Sequence, residues 1–137
     1  SDSRQDRDMP LTQKTVLFVE DDIASLETLA QMAEALNAAH VIRARSGTEA
    51  LNALKFESID IVVTDLHMRG GSGPDLIEAI RSGEAGEDHR NCKILVLTGD
   101  KRAAVQRMID AAGADGFVVK PVRIGELSDA FEKILSH

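Results

Sequence analysis

Residues 16–27 read VLFVEDDIASLE, an apolar run that ends abruptly in the acids Glu20, Asp21 and Asp22 before an amphipathic stretch begins. A continuous apolar run of this kind suits a strand buried on both faces, as in parallel sheets covered by helices. Beyond Ile23 the apolar positions Leu26, Leu29, Ala30, Ala33 and Leu36 recur at helical spacing, so strand passes into helix through a carboxylate-rich turn. Like charges crowded at one strand end repel one another, and a fold that keeps them together needs a cation or a proton to offset them.

The same strand-then-helix unit repeats along the chain. HVIRA (40–44) reads as a short strand, and Ser46 with Glu49 three positions on reads as a capping box opening the next helix. IDIVVT (59–64) is a second buried strand. It is followed by the glycine-rich turn RGGSG (69–73), a flexible turn, and then by Pro74 at the start of a helix, where a missing N–H is harmless. KILVLT (93–98) is a third buried strand, Asp100 suits the N-cap of a helix over 101–112, and Gly113 suits its end. GFVVK (116–120) is the last strand, and a final helix over 123–135 carries Ile124, Leu127, Phe131 and Ile134 on one stripe. Five strands alternating with five helices imply an α/β fold built from βαβ units, a parallel sheet with helices on both faces. Residues 1–13 (SDSRQDRDMPLTQ) are polar and aperiodic and read as a linker or frayed terminus, leaving 14–137 as one domain. The polar segment 81–91 (RSGEAGEDHRN) reads as the most mobile loop.

Composition narrows the function classes. A net charge of −7, no Trp or Tyr and only 4 Phe argue against a nucleic-acid surface, whether basic or built on stacked aromatics. No run is long enough for a membrane span, and the single Cys92 fits a reducing, cytoplasmic compartment and inert packing. His40 and His89 read as solvated polar residues, with no second His or Cys at ligand spacing. RGGSG lacks the spacing of either common phosphate-binding loop.

In open parallel α/β sheets ligands bind beyond the carboxyl ends of the strands, where the strand order reverses. Glu20, Asp21 and Asp22 follow the first strand, Asp65 the third, Thr98 ends the fourth and Lys120 the fifth; the second offers only Arg43 and Arg45. Asp22 reads as the N-cap of the first helix. Clustered carboxylates with an ammonium and a hydroxyl suit Mg²⁺ and an anion with several oxygens, that is, a metal-assisted phosphoryl site in which a carboxylate can itself be the nucleophile.

The EDD after an apolar run, VTDLHM, LTG and VVKP, in this order and each at a strand end, resemble the receiver domain of two-component response regulators over residues 15–135. The resemblance implies a flavodoxin-like (βα)5 domain with strand order 2-1-3-4-5. It implies Asp65 as phosphoacceptor, Glu20, Asp21, Asp65 and the backbone carbonyl of His67 as Mg²⁺ ligands, and Thr98 and Lys120 as phosphoryl contacts. It further implies a cis bond before Pro121 and Phe117 as a switch residue that turns inward with Thr98. The implied partners are a sensor histidine kinase or a histidine phosphotransfer domain as donor, and an output partner or neighbouring domain that the residues do not name. Such a chain is a signalling phosphoacceptor that catalyses only its own phosphorylation and slow dephosphorylation. The family's frequent Asn-Met-Pro is replaced by His67-Met68-Arg69, and His67 and Asp100 stand where the family tunes attack by water on the phosphate.

Two rival readings have their own signatures. A pseudo-receiver, an interaction module independent of phosphorylation, would ignore Mg²⁺ and phosphodonors. A haloacid-dehalogenase-type phosphatase would carry D-x-D after the first strand, where this chain has Glu20-Asp21-Asp22.

Overall fold

The computed structural model describes residues 9–68 and 71–136. The strands of the main sheet are β1 (Thr15–Val19), β2 (His40–Ala44), β3 (Ile61–Asp65), β6 (Lys93–Thr98) and β7 (Gly116–Val119); β4 (His67–Met68) and β5 (Gly71–Ser72) form a separate short ladder. The helices are α1 (Ile23–Ala35), α2 (Gly47–Phe56), α3 (Gly73–Arg81), α4 (Ala103–Ala112) and α5 (Ile124–Leu135). All pairings in the main sheet are parallel, in the order β2-β1-β3-β6-β7, so the five long strands follow the expected 2-1-3-4-5.

The unbroken apolar runs follow from this layering. Successive strand residues point to opposite faces. Leu17, Val19, Val62, Ile94 and Val96 enter one core with Ala50, Leu54, Leu76, Ile77, Ile80 and Ile109 of α2, α3 and α4. Val16, Phe18, Ile61, Val63, Leu95 and Leu97 enter the other with Leu26, Leu29 and Ala33 of α1 and Leu127, Phe131 and Ile134 of α5. Ile124 leaves the stripe expected of the last helix and is 44% exposed. Among the described residues, no helix is long and apolar enough to cross a membrane.

Local signals hold at several helix ends. The Asp22 side chain accepts from Ser25 N–H and caps α1, Ser46 caps α2 through Glu49 N–H, and Gly113 ends α4 with φ 108°. The capping box is displaced, because Glu49 Oε1 accepts from Arg45 N–H and not from Ser46. Asp100 is not the N-cap of α4: Arg102 holds that position, and Asp100 instead accepts from Arg102 N–H. The third strand is shifted too, running on through Asp65.

Burial overturns three further expectations. Residues 1–8 lie outside the described residues, but Leu11 is wholly buried in the α1–α5 core and Thr12 bridges Ala38, so residues 9–13 pack as part of the domain. Burial of Leu11 acts together with hydrogen bonds from Thr12 N–H and Oγ1 to the Met9 carbonyl and from Asn37 Nδ2 to Thr12 Oγ1 to hold the segment in place. The loop after α3 is likewise tied down: Ala85 is buried, residues Glu87–His89 form a 3₁₀ turn, and His89 is buried with Nε2 accepting from Ile59 N–H at 3.1 Å. His89 is therefore a satisfied core histidine, while His40 is exposed as expected. In the turn 69–73, Arg69 and Gly70 lie outside the described residues; Gly71 and Ser72 pair with Met68 and His67, and Ser72 Oγ caps α3.

Candidate functional site

Strand register assembles the site. Val19 stands opposite Thr64, so Glu20, one residue on, is level with Asp65. Asp65 stands opposite Leu97, which puts Thr98 one step beyond it, and Thr98 stands opposite Val119, which puts Lys120 one step beyond that. The chain leaves β1 first for β2 on one side and later returns to β3 on the other, so these residues gather where the order reverses. Glycine is required at one supporting position: a Cβ on Gly73 would lie 2.7 Å from the carbonyl oxygen of Asp65, because α3 begins against the backbone that follows the acid.

Glu20, Asp21 and Asp65 each place a carboxylate oxygen within 4.8 Å of the others, a grouping able to hold a metal ion. Glu20 is 3% and Asp65 9% exposed. Lys120 Nζ lies 2.9 Å from Asp65 Oδ1 and 3.4 Å from Glu20 Oε2, while Glu20 Oε1 accepts from Asp22 N–H at 3.1 Å. Burial pushes the Glu20 carboxyl above its ordinary pKa and the Asp65 charge adds to this, against the opposing pull of the Asp22 amide and Lys120. Burial alone would lower the Lys120 ammonium, yet hydrogen bonding and charge from Asp65 and Glu20 outweigh it and hold its pKa above the ordinary value. An ammonium held above its ordinary pKa keeps its proton and presents a positive charge to both carboxylates.

The remaining expected residues stand around this centre. Thr98 is buried, and its Oγ1 bonds to the backbone of Asp100. His67 is exposed in β4, two residues past Asp65. Phe117 is 37% exposed on β7, turned outward. The Lys120–Pro121 bond is cis, as expected. Asp22 serves α1 as a cap and donates only its backbone N–H to Glu20.

Two neighbours were given no role by sequence. Arg45, at the end of β2, donates from Nη2 to the Asp21 carbonyl at 3.4 Å, so the second strand does supply the rim with a cation. Arg43 does not; it pairs with Glu27 and Glu34 of α1. Thr64 Oγ1 donates to the Asp65 carbonyl at 3.0 Å and steadies the strand end. Arg45 stood out by its place one residue past a strand end but was set aside beside the acids, whereas Thr64 carries no signal beyond strand propensity.

Residues 16–132 match the family described as response regulator receiver domain. The chain belongs to that family. Chemotaxis protein CheY of Pseudomonas aeruginosa is 31% identical to this receiver domain over 121 residues, 87% of this chain and 94% of that protein. Sensor protein GacS of Pseudomonas syringae pv. syringae is 31% identical over 132 residues, 95% of this chain but 14% of that protein. The receiver domain thus spans about a seventh of such sensor proteins, and 15% of the sensor kinase/phosphatase CqsS of Vibrio cholerae. Among solved structures, a putative response regulator from Chloroflexus aurantiacus J-10-fl superposes with a TM-score of 0.83 at 27% identity, covering 92% of this chain and 100% of that one. Receiver domains are the signalling phosphoacceptors of two-component systems and not conventional enzymes.

Proposed function

We propose that this receiver domain takes a phosphoryl group onto Asp65 from a phosphohistidine of a sensor histidine kinase or histidine phosphotransfer domain, and that the modified surface is then read by an output partner or neighbouring domain. The observation that carries the reading is the pairing of Asp65 with Lys120 at 2.9 Å inside a carboxylate cluster tight enough for a cation. An Asp65 carboxylate oxygen attacks phosphorus; the new O–P bond forms as the N–P bond of the donor breaks, and the donor imidazole leaves with the electron pair and takes up a proton. Lys120 supplies a fixed positive charge to the arriving phosphoryl oxygens, and burial of Asp65 and Glu20 strengthens each such interaction.

Hard carboxylate donors with room for water suit Mg²⁺, to be held by Glu20, Asp21, Asp65 and the backbone carbonyl of His67. Its contribution when bound is to neutralise the clustered negative charge and to orient phosphoryl oxygens. The added charge on Asp65 would then draw in the Thr98 hydroxyl, and Phe117, now outward, would turn into the space beside α4.

The test is intact-protein mass after incubation with Mg²⁺ and a small phosphodonor. The expected result is a gain of one phosphoryl mass that disappears with Asp65→Asn and with EDTA. No gain under any condition would refute the proposal and favour a pseudo-receiver.

A further inference from the structure

Thr98, whose hydroxyl the proposed switch draws toward Asp65, has that hydroxyl engaged elsewhere. Its Oγ1 accepts from Asp100 N–H at 3.0 Å and donates to the Asp100 carbonyl at 3.4 Å. Asp100 is closed into a ring with Arg102. Asp100 Oδ1 accepts from the Arg102 backbone N–H at 3.0 Å, Arg102 Nε lies 3.0 Å from both carboxylate oxygens, and Arg102 Nη2 lies 2.6 Å from Oδ2. Hydrogen bonding from Arg102 holds the Asp100 carboxyl down to about 2, so the pair is fully charged across the working pH range. Arg102 occupies the N-cap of α4 without using its side chain as a cap, which leaves the guanidinium to Asp100.

A turn between a strand and a helix would ordinarily exchange its hydrogen bonds with water. Here charge-assisted bonds within two residues of each other confine the backbone that grips Thr98. To leave, the hydroxyl must give up its bonds to the Asp100 backbone, and the bonds between the Asp100 side chain and Arg102 hold that backbone in place to keep them.

We infer that Asp100 and Arg102 form a latch that holds Thr98 off the phosphoacceptor, with Arg102 as a positioning residue that sets how readily the domain switches. This rests on Asp65 being the phosphoacceptor. An interaction present in only one of two states biases their equilibrium by its own strength. An exposed ion pair is modest, so its loss shifts the switch by about two- to fivefold, and salt weakens it.

The test uses the full chain with Mg²⁺ and acetyl phosphate, following uptake by intact mass at low and high salt, with Asp65→Asn as the blank. Arg102→Gln is expected to take up phosphoryl about two- to fivefold faster than the parent at low salt. Added salt should speed the parent relative to the variant, and Arg102→Lys, which keeps the charge but not the fork, should fall between them. In the unphosphorylated Arg102→Gln protein, the Thr98 methyl resonance should shift toward its position in the phosphorylated parent. Equal rates at both salt levels, or an unmoved Thr98 resonance, would overturn the latch while leaving the acceptor reading intact. A parent showing no Asp65-dependent uptake would overturn the acceptor reading and the latch with it.

Discussion

Replacing Lys120 with Met keeps the length and most of the volume of the side chain while removing the one cation bonded to both Asp65 and Glu20 among the described residues. Breaking a fully buried pair costs about 3–5 kcal/mol because a charge is left unpaired, whereas an exposed pair contributes about 0–1 kcal/mol. The site lies between these limits: the Lys120 side chain is 35% exposed, but the side chains of its partners Asp65 and Glu20 are only 12% and 4% exposed. We therefore expect Lys120→Met to lose about 1–3 kcal/mol at pH 7, which for a domain of this size lowers Tm by about 4–12 °C.

The pH dependence identifies the cause. The folded-state pKa of Glu20 lies above its ordinary 4.5, so the folded protein binds that proton more tightly than the unfolded chain and the burden of the charged carboxyl is relieved as pH falls through the folded value. Lys120 offsets part of that burden, so the gap between parent and variant is widest near neutrality and closes toward pH 4.5 and below. On the alkaline side the Lys120 pKa is raised above 10.5, so its stabilisation is fully present below that pH and only the parent loses it as pH rises through the folded value. With no Trp in the chain, far-ultraviolet circular dichroism is the assay, as thermal melts at several pH values. Equal Tm values at pH 7, or a gap of constant size from neutral to acid, would refute the charge argument and leave only packing of the lysine stem.

Two other substitutions probe the scaffold. Leu11→Ala removes a wholly buried side chain and is expected to cost about 2–5 kcal/mol by denaturant unfolding, whereas a frayed terminus would give a change below about 0.5 kcal/mol. The Cys92 thiol, pushed up to about 11 by burial, is expected to alkylate roughly a hundredfold more slowly at pH 8 in the native protein than in denaturant; comparable rates would show that it is not buried as described.

Much of the domain was written locally. Residues 16–19 and 93–98 carry enough consecutive apolar side chains to be buried on both faces whatever their neighbours, and Asp22, Ser46 and Gly113 satisfy helix ends through bonds within a few residues. The identity of the acids, the hydroxyl and the ammonium at successive strand ends was legible for the same reason, since a residue just past a buried strand has no other place to go than the rim of the sheet.

What remained hidden depends on partners distant in the chain. Lys120 reaches Glu20 across 100 positions and His89 meets Ile59 across 30, and no local pattern records either pairing. Leu11 stands alone in a polar stretch, and only the cleft beneath α1 and α5 makes it core. Asp100 has the chemistry of a cap, but Arg102 two residues on competes for the same carboxylate and wins with charge-assisted bonds. Amino-acid order alone determined which groups stand at the strand ends. Tertiary structure decided how far apart they sit, because register and burial set both the distances and the strength of charge at those distances.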